Sequence, residues 1–216
     1  MGGIFSIDSK LMHYLGLFAD MIIVNILFLF CCVPIITIGP ALSGLYASMR
    51  QLANKEDDNS NVKAFFKGFV NGFSQICVAN LIMMVIEGIL AYTILMCLYY
   101  ADTGVFMHWL YPTIIAVPVL ILHSLIPVFH SQFSCTFSQL FRNVWILMLT
   151  HPLHALISAI LFWIPPVLFL FAPALFIRAT MILLTLYFSL SAYAIVLLFR
   201  KSFKKLIDNF YSESEE

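Results

Sequence analysis

The fold is decided by segments without charged residues, of which the longest reads TGVFMHWLYPTIIAVPVLILHSLIPVFHSQFSCTFSQLF (residues 103–141). Four further segments, 21–49, 68–86, 143–177 and 179–199, also lack Asp, Glu, Lys and Arg. About 20 apolar helical residues cross the hydrocarbon core of a bilayer. Because lipid satisfies no backbone polar group, such segments must be helical. The sequence therefore predicts an all-α, polytopic membrane helical bundle.

The composition excludes a water-soluble monomer. Hydrophobic residues make up 62% of the 216-residue chain and charged residues 10%, whereas soluble domains have roughly 45–50% and about 25%. The net charge is zero, with 11 basic and 11 acidic residues, so charge indicates no nucleic-acid partner. The five cysteines form no Cys-x-x-Cys pair and are expected to behave as small apolar side chains.

We predict one membrane domain over residues 1–216. Its five spans are placed at about 15–36, 75–98, 109–129, 153–172 and 175–198. With five spans, nine basic residues fall on one side, and Lys10 and Arg178 on the other. Since basic residues accumulate in cytoplasmic loops, the N-terminus is expected outside the cell membrane and the C-terminus in the cytoplasm.

A polar, amphipathic insertion separates the first two spans, at 41–73. Apolar residues recur at helical spacing over 41–53 and over 62–73, on either side of a charged loop. Two helices are therefore expected to lie along the cytoplasmic interface or to pack under the bundle. A basic, amphipathic cytoplasmic tail is expected over 199–216. Each apolar stripe is either a partner surface or a helix covering its own bundle.

Glu87 is the charged residue deepest in a predicted span. A carboxyl group at that depth must face protein or water, or be neutral. Asn25 and His123 fall at comparable depth in the first and third spans, so either can contact Glu87. Such a cluster would serve as a proton or substrate relay, or as a hydrogen bond that fixes helix packing.

Asp20 and Arg178 have opposite charges at matched depth in the first and fifth spans. We expect a structural ion pair between them, or separate snorkelling of each side chain to the interface. The histidines and cysteines give no spacing typical of a metal site. No phosphate-binding loop and no nucleophile–base set is apparent, so we expect no cofactor, no catalytic residue and no enzymatic activity.

The first third of the chain resembles the YesL family, small bacterial integral membrane proteins that contain a domain of unknown function. The resemblance is carried by short motifs over about residues 1–75. These are Met1–Phe5, Asp8-Ser9, Asp20, Asn25, Pro34–Pro40, Ala41-Leu42-x-x-Leu45-Tyr46, Arg50, Glu56–Asp58, Phe65-Phe66 and Phe69-x-Asn71-x-Phe73. The first span, with Phe28 and Cys31-Cys32, departs from the Leu-Trp-rich pattern of the family. The motif Thr37-Ile38-Gly39-Pro40 is expected to form a tight turn that ends the first helix.

The resemblance implies a genomic setting beside carbohydrate ABC transporters and polysaccharide-degrading enzymes. It carries over no catalytic residue, because the biochemical role of the family is not established. We therefore expect a non-catalytic accessory protein in the lipid bilayer that assists a carbohydrate ABC importer through its permease subunits. The alternative is an independent small transporter or channel whose path contains Glu87, Asn25 and His123. A homo-oligomer is left open by the sequence.

Overall fold

The structure, a computed structural model, describes residues 10–54, 60–99 and 110–213. Helices account for nearly all of this part. They are α1 (Lys10–Cys31), a 3-10 turn (Ile35–Thr37), α2 (Ile38–Asn54), α3 (Asn61–Val70), α4 (Phe73–Tyr99), α5 (Leu110–His130), α6 (Phe137–Thr150), α7 (Pro152–Phe171), α8 (Pro173–Ile182), a π turn (Leu183–Tyr187) and α9 (Phe188–Glu213). The described residues contain no strand.

Four helical segments are long and apolar enough to cross a membrane. They are Phe73–Cys97, Leu110–His130, Pro152–Phe171 and the continuous stretch Pro173–Phe203, which joins α8, the π turn and α9. The prediction of an all-α, polytopic membrane helical bundle is confirmed. The apolar part of α1, Leu15–Cys31, is shorter, at 17 residues.

The ends of the long helices group at two opposite ends of the bundle. At one end, the Phe203 ring of α9 contacts Phe129 at the end of α5, and Phe199 contacts His154 at the start of α7. His130 also lies beside Gly72, which immediately precedes α4. We call this end of the bundle the tail side. The opposite end, where α4 ends and α5 begins, is the far side.

Helices α1 and α2 form an antiparallel hairpin. At one end, the Thr37 hydroxyl lies 2.6 Å from the Cys31 carbonyl oxygen. At the other, Asn61 donates to Asp20 of α1 at 2.9 Å, and its carbonyl oxygen accepts from Ser48 of α2 at 2.9 Å. Asp20 of α1 and Ser48 of α2 therefore both lie beside the beginning of α3, on the side away from the turn of the hairpin.

The open end of the hairpin lies on the tail side of the bundle. The contacts that α2 makes with the long helices, followed from its first to its last turn, show this. Gly39, in the first turn of α2, packs against Ile76 and Asn80, which lie within α4. Further along α2, Ser43 bonds His130, the last residue of α5, and Arg50 bonds Gln132 beyond it. Helix α2 thus runs back towards the tail side, and α1 begins on that same side. The five-span prediction, in contrast, put the start of the first helix opposite α3.

Helix α2 lies at the centre of the molecule. Nearly all of its residues from Gly39 to Ala53 are buried, and it packs against α1, α3, α4, α5 and α9. Of the two arrangements expected for 41–53, packing under the bundle is the one observed, because both faces of α2 are covered. Small residues permit this close packing: a Cβ on Gly44 would lie 2.7 Å from the Phe65 carbonyl oxygen of α3. The partner surface predicted over 41–53 is therefore not exposed.

The Thr37–Pro40 motif forms the turn of the hairpin. The Thr37 hydroxyl lies within 2.7 Å of the carbonyl oxygens of both Cys31 and Pro34 and can donate to either. The Cys77 thiol of α4 donates to the Ile36 carbonyl at 2.8 Å. Pro40 lies in the first turn of α2, where a helix needs no backbone N–H. The motif therefore satisfies carbonyl groups that a helix break would leave unpaired in an apolar surrounding.

Helix α6 was not predicted as a separate element. It lies between α5 and α7 on the tail side, and its first turn is closed by reciprocal bonds between Thr136 and Gln139. Gln75 of α4 donates to the Cys135 carbonyl at 2.9 Å and so anchors the preceding segment. Burial raises the pKa of the Cys135 thiol above its usual range. The sequence signal for α6 was the capping-box pattern Thr-x-x-Gln.

Candidate functional site: polar groups inside the bundle

Glu87 and His123 form a direct contact between α4 and α5. His123 Nδ1 lies 2.8 Å from Glu87 Oε1, with the His123 and Glu87 side chains 6% and 13% exposed. Among the described residues, this is the one contact between a carboxyl and a basic group within 4 Å. Of the two Glu87 contacts that depth allowed, the structure forms the one with His123.

Asn80 fixes the other nitrogen of the imidazole. His123 Nε2 lies 3.0 Å from Asn80 Oδ1, an oxygen that can only accept, so Nε2 carries a proton. The contact between Nδ1 and Glu87 then holds one further proton. That proton resides on the nitrogen, giving an imidazolium–carboxylate pair, or on the oxygen, giving two neutral groups. The pair has zero net charge in either form, which makes its burial among apolar helices tolerable.

The hydrogen-bond chain ends close to this pair. The Asn80 amide nitrogen lies 3.4 Å from the Met84 sulfur, and an amide neither gains nor loses protons near neutral pH. On the α7 side, the imidazole contacts the rings of Phe162 and Trp163 at centroid distances of 5.5 and 5.8 Å. Trp163 itself donates to the Leu120 carbonyl at 3.1 Å. The arrangement orients His123, and its described partners offer no continuing proton path.

Asn25 lies elsewhere, against the π turn of the last long helix. Its amide nitrogen lies 2.7 Å from the Leu184 carbonyl oxygen and 3.3 Å from that of Leu183. Its amide oxygen accepts from the Ser189 backbone N–H at 3.0 Å. A π turn widens the helix and breaks the regular ladder of backbone hydrogen bonds. Asn25, which is fully buried, therefore replaces bonds that the helix lacks, and it does not contact Glu87.

Asp20 and Arg178 are not brought together. Asp20 accepts from Asn61 at the tail side, whereas Arg178 is exposed on α8, which starts at the far side. The prediction matched their depths by assuming that α1 begins at the far side. Because α1 begins at the tail side, the two side chains lie towards opposite ends of the bundle, and the ion pair is not formed.

An apolar cavity of about 430 Å³ lies between the hairpin and the last two long helices. Leu42 and Tyr46 of α2 face Phe162 and Pro165 of α7 across it, and Leu183 of the π turn completes this part of the wall. Neither Asn25 nor Glu87 nor His123 lines it. The polar residues predicted to line a transport path therefore do not share this cavity. In the described part of the chain, no group of three or more His, Cys, Asp or Glu side chains could hold a metal ion.

Sequence reasoning missed the π turn and the Asn80 contact. Asn80 lies two helical turns before Glu87 on α4, so helical spacing places both on one face, and that signal was available. No sequence pattern marks Leu183–Tyr187 as a π turn.

Comparison with known proteins gives a match to a family model. Residues 21–94 match the model of a family described as "Protein of unknown function, DUF624". The matched segment holds the hairpin from Met21 onwards, α3, and α4 as far as Ile94, and so includes Asn25, Asn80 and Glu87 but not His123. No curated protein and no solved structure matches the chain. The chain is thus similar over about a third of its length to a family without an assigned function, and it is a multi-pass helical membrane protein.

Proposed function

We propose that this chain is a non-catalytic accessory protein of the cell membrane that assists a carbohydrate ABC importer. The pairing of the deep polar groups is the observation that supports an accessory protein over a transporter. Asn25 is engaged by the π turn and Glu87 by His123, and neither faces the apolar cavity. The choice of an importer as the partner rests on the resemblance to the YesL family. The match to a family of unknown function agrees with that resemblance.

The outer face of α3 is the docking surface left after the burial of α2. Phe66 and Val70 are 45% and 68% exposed on this helix, and Lys63 and Lys67 are exposed beside them. An apolar stripe flanked by cations suits a permease loop that presents apolar and acidic side chains.

Co-purification from native membranes in mild detergent tests this function. We expect importer permease subunits to accompany the tagged chain, and the Phe66→Ser/Val70→Ser variant to lose them. Phe137→Ser/Leu149→Ser on α6 is the matched control, since these residues are also exposed on a tail-side helix. A chain that purifies alone, with importer activity unchanged on deletion, would refute the proposal. Equal loss in both variants would assign the effect to membrane anchoring.

We further propose that the tail side faces the cytoplasm. Arg50, Lys63 and Lys67, on α2 and α3, lie at this side, and so do Arg142 of α6 and Lys201 of α9. Because α1 also begins at this side, Lys10 joins them, and the basic bias becomes larger than the five-span arrangement gave. Reporter fusions to residues 1 and 216 test this orientation. We expect cytoplasmic signals from both, whereas an external signal from the first would restore the original prediction.

A second candidate is an independent transporter that uses the Glu87–His123 pair. The observation that favours it is a titratable pair 2.8 Å apart with Glu87 13% exposed, an arrangement that proton-coupled transporters use. Reconstituted vesicles with an internal pH dye test it. This candidate predicts proton flux on sugar addition that Glu87→Gln abolishes. The accessory function predicts no flux from either protein.

A further inference from the structure

A second cavity, of about 950 Å³, lies on the tail side between the end of α5, helix α6 and α9. Arg142 of α6 and Lys201 of α9 line it together with His151, and Phe133 and Ile146 supply apolar wall. Its volume lies in the range of about 300–1,000 Å³ that is typical of small-molecule sites. The cavity shares no lining residue with the apolar cavity described above.

The charged residues that line this cavity, among those described, are all basic. None of the described residues that line it is acidic. Among the described side chains, no carboxylate lies within 4 Å of Arg142 or Lys201. The two cations face the cavity without a countercharge from the described part of the chain. A ligand with negative charge would therefore replace water and mobile ions around them.

Helix α6 sets the depth of the cavity in the membrane. Leu140, Val144 and Leu147 of α6 are buried against the bundle, whereas Trp145 and Leu149 are 45% and 65% exposed. An amphipathic helix with an exposed Trp is typical of the boundary between lipid headgroups and acyl chains. This pattern is expected for a cavity at the level of phospholipid phosphates, and Ile146 of its apolar wall is itself 51% exposed.

We propose that this cavity binds the headgroup of an anionic phospholipid. Arg142 and Lys201 contact the phosphate, the polar side chains of α6 bind headgroup hydroxyls, and Phe133 and Ile146 support the glycerol backbone and the first methylene groups. Basic pockets between helices at the cytoplasmic face are a recurring form of lipid-headgroup site. The proposal does not depend on the importer partnership.

Binding to the purified full chain in detergent tests the proposal, with three probes. They are short-chain phosphatidylglycerol, short-chain phosphatidylcholine and inorganic phosphate. We expect saturable binding of phosphatidylglycerol, at least about tenfold weaker binding of the zwitterionic lipid, and the weakest binding of phosphate. Phosphate binding as tight as that of phosphatidylglycerol would overturn the lipid proposal and assign the cavity to free anions.

Substitutions that remove the basic charges of the cavity form the second part of the test. Arg142→Gln and Lys201→Gln should each weaken phosphatidylglycerol binding roughly fivefold, the effect of about one cation near a membrane surface. Lys63→Gln/Lys67→Gln is the matched control, because both lysines are exposed on α3 at the same side and do not line the cavity. Thermal unfolding without lipid should be unchanged in all of these variants, since every substituted side chain is exposed. Unchanged binding in the Arg142→Gln/Lys201→Gln variant, or equal losses in the control, would overturn the proposal.

Discussion

Two polar sites lie inside the same apolar bundle, and they satisfy their hydrogen bonds in different ways. Asn25 is fully buried and bonds only backbone groups, namely two carbonyls of the π turn and the N–H of Ser189 in the first turn of α9. Glu87 is partly exposed and bonds a second side chain, His123, whose other nitrogen bonds Asn80. The Asn25 site thus stabilises an irregular backbone, whereas the Glu87 site stabilises a charge-capable side chain.

The difference decides what each site can tolerate. The backbone groups at the π turn cannot be removed by substitution, so the loss of Asn25 leaves them unpaired in a dry surrounding. The Glu87–His123 pair can lose both members together at a smaller cost, because apolar replacements leave one acceptor without its donor, Asn80 Oδ1, while the Asn80 amide nitrogen keeps its contact with Met84. We therefore expect the Asn25 site to be the less replaceable of the two.

The largest effect is expected from Asn25→Leu. The substitution leaves two carbonyls and one N–H without their partner, and it should lower the free energy of unfolding by about 2 kcal/mol. Titration with a denaturing detergent in mixed micelles measures this. Asn143→Leu on α6, at a half-buried position, is the control and should change stability by under about 0.5 kcal/mol. Equal losses in the two variants would remove the special role of Asn25.

Gly39→Ala tests the packing that connects the hairpin to the second site. The added Cβ would lie 2.7 Å from Asn80 Cβ and 2.8 Å from the Ile76 carbonyl oxygen. Helices α2 and α4 must separate, so we expect a loss of about 1–2 kcal/mol. Gly88→Ala on α4 is the control, because no atom lies within 4 Å of its added Cβ. A tolerated Gly39→Ala, measured in the same titration, would contradict the close approach of the hairpin.

A double-mutant cycle measures the Glu87–His123 contact directly. Glu87→Leu, His123→Leu and the double variant should give a coupling energy of about 1 kcal/mol, the usual size for polar contacts between membrane helices. Glu87 with His130 forms the control cycle, because His130 bonds Ser43 instead, and its coupling should be near zero. Zero coupling for Glu87 with His123 would mean that the contact does not stabilise the fold.

Glu87→Gln separates the two proton arrangements, and it has the smallest effect of these substitutions if the pair is neutral. If the proton resides on Glu87, the Gln amide can donate to His123 Nδ1 in its place, and stability should change by under about 0.5 kcal/mol. If the pair is ionic, Gln loses a charge-assisted bond, and the loss should approach that of Glu87→Leu. Comparison of the two variants in one titration decides between these forms.

The Glu87–His123 contact could be anticipated from the sequence, and the Asn25 contact could not. Counting residues along two predicted helices placed Glu87 and His123 at one depth, because helical rise is constant. The same counting misplaced Asp20, since its depth depends on the side at which α1 begins. It also could not show that Asn25 packs against the last long helix, because depth does not identify the neighbouring helix. The π turn that binds Asn25 has no sequence pattern.

The burial of α2 could be predicted from the sequence only in part. The apolar spacing over 41–53 predicted a helix, but its packing depends on small residues such as Gly39, Ser43 and Gly44, which let α3 and α4 approach. Such residues indicate close helix contacts in membrane proteins. They do not tell which neighbour is contacted, because that choice depends on helices distant in sequence.

The hairpin has a consequence for membrane insertion. Since α1 and α2 both open at the tail side, neither Lys10 nor Asp20 nor the charged segment around α3 must cross the bilayer. Beyond the hairpin, Arg178 on α8 is the one described charged residue that lies near the far side. Translocation of charged side chains is the expensive step of assembly. With the tail side in the cytoplasm, as proposed above, the hairpin can insert from that side without carrying Lys10 or Asp20 across the membrane.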